Sequence, residues 1–173
     1  KVWQAARGEG RAVEVLARIL PYLAVRVGHE EDLHKGLGLP GPDVGAHAEL
    51  DPSAFLAMID RVVARYPQIK VVATTLRAVQ STNRHRWSAV AWVQGDTFQA
   101  PTADLDVYDR IGGGDGFAAG FFYGLLSGES PEQALRLGWA HGALLTTYPG
   151  DTTMATLAEV RAFARGGSAR VQR

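Results

Sequence analysis

The chain has 173 residues, 46% of them hydrophobic and 21% charged, which suits one globular domain or a piece of one. Its 18 basic and 18 acidic side chains cancel to a formal net charge of zero, which argues against partners held by bulk charge, such as duplex nucleic acid or an anionic membrane. The absence of cysteine excludes disulfides, thiolate catalysis and Cys-based zinc sites, and a cytoplasmic location is expected. No apolar run approaches the roughly 18 residues of a membrane span, and no apolar stretch of a secretory signal follows Lys1-Val2-Trp3-Gln4.

In chain order, Ala12, Val13, Val15, Leu16, Ile19 and Leu20 fall at helical spacing, and Pro21 ends the pattern. Ala24 to Val27 reads as a short strand and Glu30 to Lys35 as one or two helical turns. Residues 36–50, rich in Gly and Pro, read as a surface loop. Asp51-Pro52 predicts a helix start, with Phe55, Leu56, Ile59, Val62 and Val63 inward and an end near Tyr66-Pro67. Ile69 to Thr75 is a β-branched, buried strand; Ser88 to Val93 and Thr97 to Ala100 form a hairpin turned at Gln94-Gly95-Asp96. Leu105 to Val107 is a last short strand. Residues 114–126 and 131–147 are helices, and Thr156 to Ala164 is a final one, with Thr156 and Glu159 set for a capping box. Gly166 to Arg173 is a small, polar and basic tail expected to fray. Strands alternating with helices predict an α/β fold with a largely parallel sheet.

Glycine is abundant, at 20 residues, and the informative cluster is Asp109-Arg110-Ile111-Gly112-Gly113-Gly114-Asp115-Gly116-Phe117. It lies between a strand and a helix. Glycines let the backbone turn tightly and approach a ligand, and a helix N-terminus presents unpaired N–H groups to an anion. A carboxylate beside such a cradle can accept a proton from a hydroxyl attacking a phosphoryl group, which makes Asp115 a candidate base. The plainer alternative is a glycine-rich turn with Asp115 near the helix start for dipole reasons alone. No Gly-Lys-Ser/Thr follows, so this is not a Walker loop, and the dinucleotide fingerprint lacks its third glycine. Gly116, Gly120 and Gly124 form a thin helical stripe, expected to serve close packing.

Two metal patterns fail. His29 and His34 stand five apart, about 140° around a helix, and do not share a face. Asp104, Asp106 and Asp109 miss the calcium-loop spacing, since Asp109 stands where glycine is required.

Asp109, Gly112, Gly114, Asp115, Phe117 and Gly120 fill an Asp-x-x-Gly-x-Gly-Asp-x-Phe-x-x-Gly pattern, which resembles the second signature of the ribokinase-like (PfkB) carbohydrate kinases. Leu20-Pro21-Tyr22, Gly28-His29-Glu30-Glu31-Asp32, Val71 to Arg77 and Arg86-Trp87-Ser88-Ala89 make it similar to 2-keto-3-deoxygluconate kinases, from Lys1 to about Asp151. The resemblance implies a three-layer ribokinase-like fold and ATP-dependent phosphorylation of a sugar or sugar-acid hydroxyl. It implies Asp115 as general base and Gly112, Gly113 and Gly114 as the anion hole. Thr75, Arg77 and His141 would meet the nucleotide; for His141 a place in the core or on a helix surface is the equal alternative. Asp32 would hold Mg2+ through water, with His29 standing where the family has Asn. Arg77 stands where the broader family often has Gly.

Family members run to roughly twice this length. The resemblance therefore implies that residues 1–165 are the C-terminal, nucleotide-binding half of a kinase domain and 166–173 a flexible tail. The lid, most sugar contacts and a sugar-binding Arg upstream of Lys1 belong to the other half. The alternative is a truncated nucleotide-binding module or pseudokinase without turnover. Expected partners are a nucleotide and a small sugar-acid substrate, and a homo-oligomer is left open.

Overall fold

The computed structural model describes residues 9–29, Gly36 and 52–166. Helix α1 (Glu9–Ile19) runs into a single 3-10 turn, Leu20–Tyr22, where Pro21 fits because the first positions of a helical turn need no N–H. Strand β1 (Val25–His29) follows, then helix α2 (Pro52–Arg65). Strands β2 (Val71–Ser81), β3 (Arg84–Val93), β4 (Asp96–Gln99) and β5 (Ala103–Asp106) precede three helices, α3 (Gly113–Leu126), α4 (Pro131–Leu145) and α5 (Leu157–Ala164). The expected turns over Glu30 to Lys35, the Gly/Pro loop and Asp32 lie outside the described residues, as does the tail beyond Gly166.

The α/β class holds, but the expectation of a largely parallel sheet is corrected. Among the described strands only β1 and β2 pair in parallel, Val25 opposite Val71 through His29 opposite Thr75. β2–β3, β3–β4 and β3–β5 are antiparallel. The cause is local: β2, β3 and β4 are joined by turns too short for a crossover. Gln94 and Gly95 take φ of 52° and 111°, the two left-handed positions of a tight hairpin turn. The other hairpin, at Thr82-Asn83, carries β2 six residues past Thr75.

Two cores sandwich the sheet. Phe55, Met58, Ile59 and Val62 of α2 pack with Leu20 against Val72, Leu76 and Val90 on one face, while the expected inward Leu56 and Val63 are half-buried at its rim. On the other face Val71, Ala73, Trp87, Ala89 and Ala91 meet Phe117 and Phe121 of α3, Trp139 of α4 and Phe163 of α5. Strand alternation therefore puts Thr75, Arg77 and His85 on the α3–α5 side.

The helix pair α3–α4 fixes the candidate site, and its close approach is set by glycine. A Cβ on Gly120 would lie 2.7 Å from the Leu137 carbonyl oxygen, one on Gly124 2.6 Å from Ala134 Cα, and one on Gly138 2.7 Å from the Phe117 carbonyl oxygen. The glycine stripe serves packing, as expected. Ser130 caps α4 through the Gln133 N–H, and Thr156 and Glu159 close the capping box of α5 in both directions. No helix among the described residues is long and apolar enough to cross a membrane.

Candidate functional site

The chain enters the glycine turn from β5, and each step of that path is tied down. Val107 N–H donates to the Asn83 carbonyl at 2.7 Å; the N–H groups of Tyr108 and Asp109 both donate to the Thr146 carbonyl at the end of α4. The Asp109 carboxylate accepts from Ile111 N–H at 2.9 Å and from Gly150 N–H at 3.2 Å, so one side chain closes the turn and joins it to the loop after α4. Gly112 then takes φ of 81°, and a Cβ there would lie 2.8 Å from the Asp151 carbonyl oxygen. Both the left-handed backbone and the close approach require glycine.

Helix α3 starts directly beyond. Its first bond runs from Gly116 N–H to the Gly112 carbonyl at 2.8 Å, so the N–H groups of Gly113, Gly114 and Asp115 have no acceptor within the helix. A Cβ on Gly113 would touch Thr146 Cγ2 at 3.0 Å, whereas one on Gly114 would meet nothing within 4 Å. The turn is thus packed at Gly113 and open at Gly114. Asp115 is exposed in the first helical turn.

The sheet approaches the same point through Trp87. A Cβ on Gly142 would lie 2.8 Å from the Gly113 carbonyl oxygen and 2.9 Å from Trp87 Cζ2, so turn, α4 and β3 converge there. Trp87 and Trp139 are locked by reciprocal bonds, each indole N–H donating to the other's carbonyl, at 3.1 and 3.3 Å. Arg77 is directly across from Trp87 in the ladder. Thr75, two residues earlier and opposite His29 of β1, is 1% exposed, and its Oγ1 has no hydrogen-bond partner among the described residues. Its neighbour Thr74, by contrast, donates to the Gly28 carbonyl at 2.9 Å. A buried hydroxyl left unpaired costs roughly 1–3 kcal/mol, which a ligand oxygen could recover. His141 is half-buried in α4, its Nδ1 2.8 Å from the Gly116 carbonyl oxygen. A carbonyl only accepts, so Nδ1 carries the hydrogen, and in the neutral ring Nε2 is the acceptor.

His141 is thus tied directly to the first turn of α3, and Arg77 is linked to it through Trp87, its ladder partner, while Thr75 lies two residues before Arg77 on the same face of β2. Among the described residues no three His, Asp or Glu side chains converge to hold a metal. The sequence reading missed the anchors Asn83 and Thr146 and the buried His85, whose surroundings become legible only once β2 and β3 are paired.

The family comparison gives the class: residues 4–157 match the pfkB family of carbohydrate kinases, and the chain belongs to that family. It is 39% identical over 85 residues to the 2-dehydro-3-deoxygalactonokinase of Haloferax volcanii, covering 49% of this chain and 27% of that protein. It is 38% identical over 70 residues to the 5-dehydro-2-deoxygluconokinase of Shouchella clausii, covering 40% and 22%. The crystal structure of 2-dehydro-3-deoxygluconokinase from Thermotoga maritima superimposes with a TM-score of 0.83 at 27% identity, over 91% of this chain and 46% of that one. The match thus spans under half the length of each of these relatives. An E. coli protein crystallised with ATP and Mg2+ shares the fold, with a TM-score of 0.64 at 18% identity.

Proposed function

We propose that this chain supplies the phosphoryl-transfer half of an ATP-dependent sugar kinase whose acceptor is a sugar acid of the 2-keto-3-deoxygluconate class. In this reading residues 1–165 form that half and 166–173 lie outside it. The observation that carries the proposal is the turn itself: three successive N–H groups at 113–115, an open approach at Gly114, and Asp115 beside it.

The turn of Gly112, Gly113 and Gly114 forms the anion hole, its fixed donors the N–H groups of residues 113–115 aimed at the charge that grows on the transferring group. Asp115 accepts the proton of the attacking hydroxyl. Thr75 donates its orphaned hydroxyl to a nucleotide phosphate, and Arg77 supplies positive charge beside it. His141, held from Gly116, offers Nε2 toward the nucleotide base. Mg2+ enters with the nucleotide, and Asp32 is the candidate to hold it through water. The sugar-acid class is supported by what the relatives' names say they act on.

The test is phosphorylation of a panel of 2-keto-3-deoxy sugar acids and neutral sugars with ATP and magnesium, by a full-length kinase that joins this chain to the other half of the domain, as wild type and as Asp115→Asn. The proposal expects turnover on a sugar acid that falls by roughly 10²–10⁴-fold in the variant. ATP binding with no turnover on any sugar would instead favour a binding module.

A further inference from the structure

His85 is absorbed by neither the fold nor the proposed mechanism. It is 4% exposed, on the sheet face that carries Thr75 and Arg77. It pairs across β2 with Val79 and across β5 with Leu105, which puts it diagonal to Arg77 in the ladder. The path into the glycine turn passes beside it: Asn83, two residues earlier, holds Val107, and Arg110 follows on that path.

The charges around this imidazole are all of one sign. Burial first, then the guanidinium of Arg77, hold His85 below its ordinary 6.5; Arg110 adds to this, and a backbone hydrogen bond with Thr82 opposes it. From β3 itself, Arg84 and Arg86 alternate to the other face, where they stand opposite Asp106 and Asp104 of β5; Arg84 and Asp106 form an ion pair at 3.4 Å. Among the described residues no carboxylate acts on His85, and neither Arg77 nor Arg110 has an ion-pair partner. Two cations without an ion-pair partner, the half-buried Arg77 and the exposed Arg110, thus act on the buried imidazole, and Thr75, whose hydroxyl has no partner, lies two residues before Arg77 on the same face of β2.

We propose that His85 is a proton-linked positioning residue of the phosphate site: neutral in the free protein, it takes up a proton when a polyphosphate occupies the Thr75–Arg77 end of the sheet. The inference rests on the nucleotide-binding reading above and adds a residue and a pH dependence to it. The bound anion offsets the repulsion from Arg77 and Arg110, so protonation becomes easier. By reciprocity, protonated His85 strengthens anion binding. The sign follows: affinity rises as pH falls through the range in which bound and free proteins differ in His85 protonation.

The experiment is a histidine NMR titration of the wild-type chain, which has five histidines, with and without saturating ATP or inorganic tripolyphosphate. The His85 signal is assigned by its loss in His85→Gln or, if that variant does not fold, in His85→Asn. The expected result is a rise in the His85 midpoint with ligand, with the other histidines moving less. It should be accompanied by a gain in affinity on the order of tenfold between about pH 8 and pH 6, beyond the gain in His85→Gln. Subtracting the variant removes protonation of the polyphosphate itself. A His85 midpoint that stays or falls while the ligand demonstrably binds overturns this inference alone. No binding of either polyphosphate overturns it together with the nucleotide-binding reading.

Discussion

Replacing Gly114 by alanine separates the ligand-binding reading of the glycine turn from a merely structural one. The added methyl meets no atom within 4 Å, so packing does not oppose it. The residue is helical, and alanine is favoured over glycine in a helix interior by about 1 kcal/mol, less in a first turn. Stability should therefore be unchanged or slightly raised. Helical Cα–Cβ bonds tilt toward the N-terminus, so the methyl leans over the free N–H groups of residues 113–115. Losing one charge-assisted bond to a phosphate costs roughly 1.5–3 kcal/mol, or about 10- to 100-fold in affinity. The assay is calorimetric titration with ATP beside a thermal melt. A lowered melting temperature with unchanged ATP affinity would refute the reasoning. Gly113 is a poorer probe, because its added Cβ would press on Thr146 at 3.0 Å and mix packing with binding.

Other expectations follow from the same geometry. Gly120→Ala gains about 1 kcal/mol of helix propensity but drives a methyl to 2.7 Å from the Leu137 carbonyl; overpacking at about 1–3 kcal/mol should prevail, and a denaturant melt showing stabilisation would contradict the close-packing account. For His85, the unfolded chain takes up a proton near 6.5 and the folded chain only at lower pH, so between the two the unfolded state binds more protons and stability falls as pH drops below about 6.5. His85→Gln should flatten that decline in a melting-temperature series; an unaltered slope would count against a buried neutral imidazole. Thr156→Ala removes the α5 cap and should cost about 1 kcal/mol by urea denaturation, leaving ATP affinity alone.

The glycine turn was the most legible part of the sequence, because its constraints are largely local. Gly112 needs a positive φ, Gly114 an open face, and Asp109 two bonds within a few residues or to the loop after α4. The capping box of α5 was legible for the same reason. The β2–β3 hairpin was not. From Arg77 to Arg86 the chain is largely polar and exposed, with no glycine or proline to mark the turn at Thr82-Asn83, so strands expected at Ile69–Thr75 and Ser88–Val93 emerge longer. That extension decides the sheet's antiparallel character and creates the environment of His85. Residue spacing placed Thr75 on a buried strand, but only the paired sheet reveals that its hydroxyl lacks a partner.

The central claim is that the start of α3 binds the phosphates of a nucleotide. An amide NMR titration of the chain with ATP tests it most directly. The account predicts that the N–H signals of Gly113, Gly114 and Asp115 move furthest and saturate together with those of Thr75 and Arg77. Saturable ATP binding that leaves the three turn amides in place would contradict it.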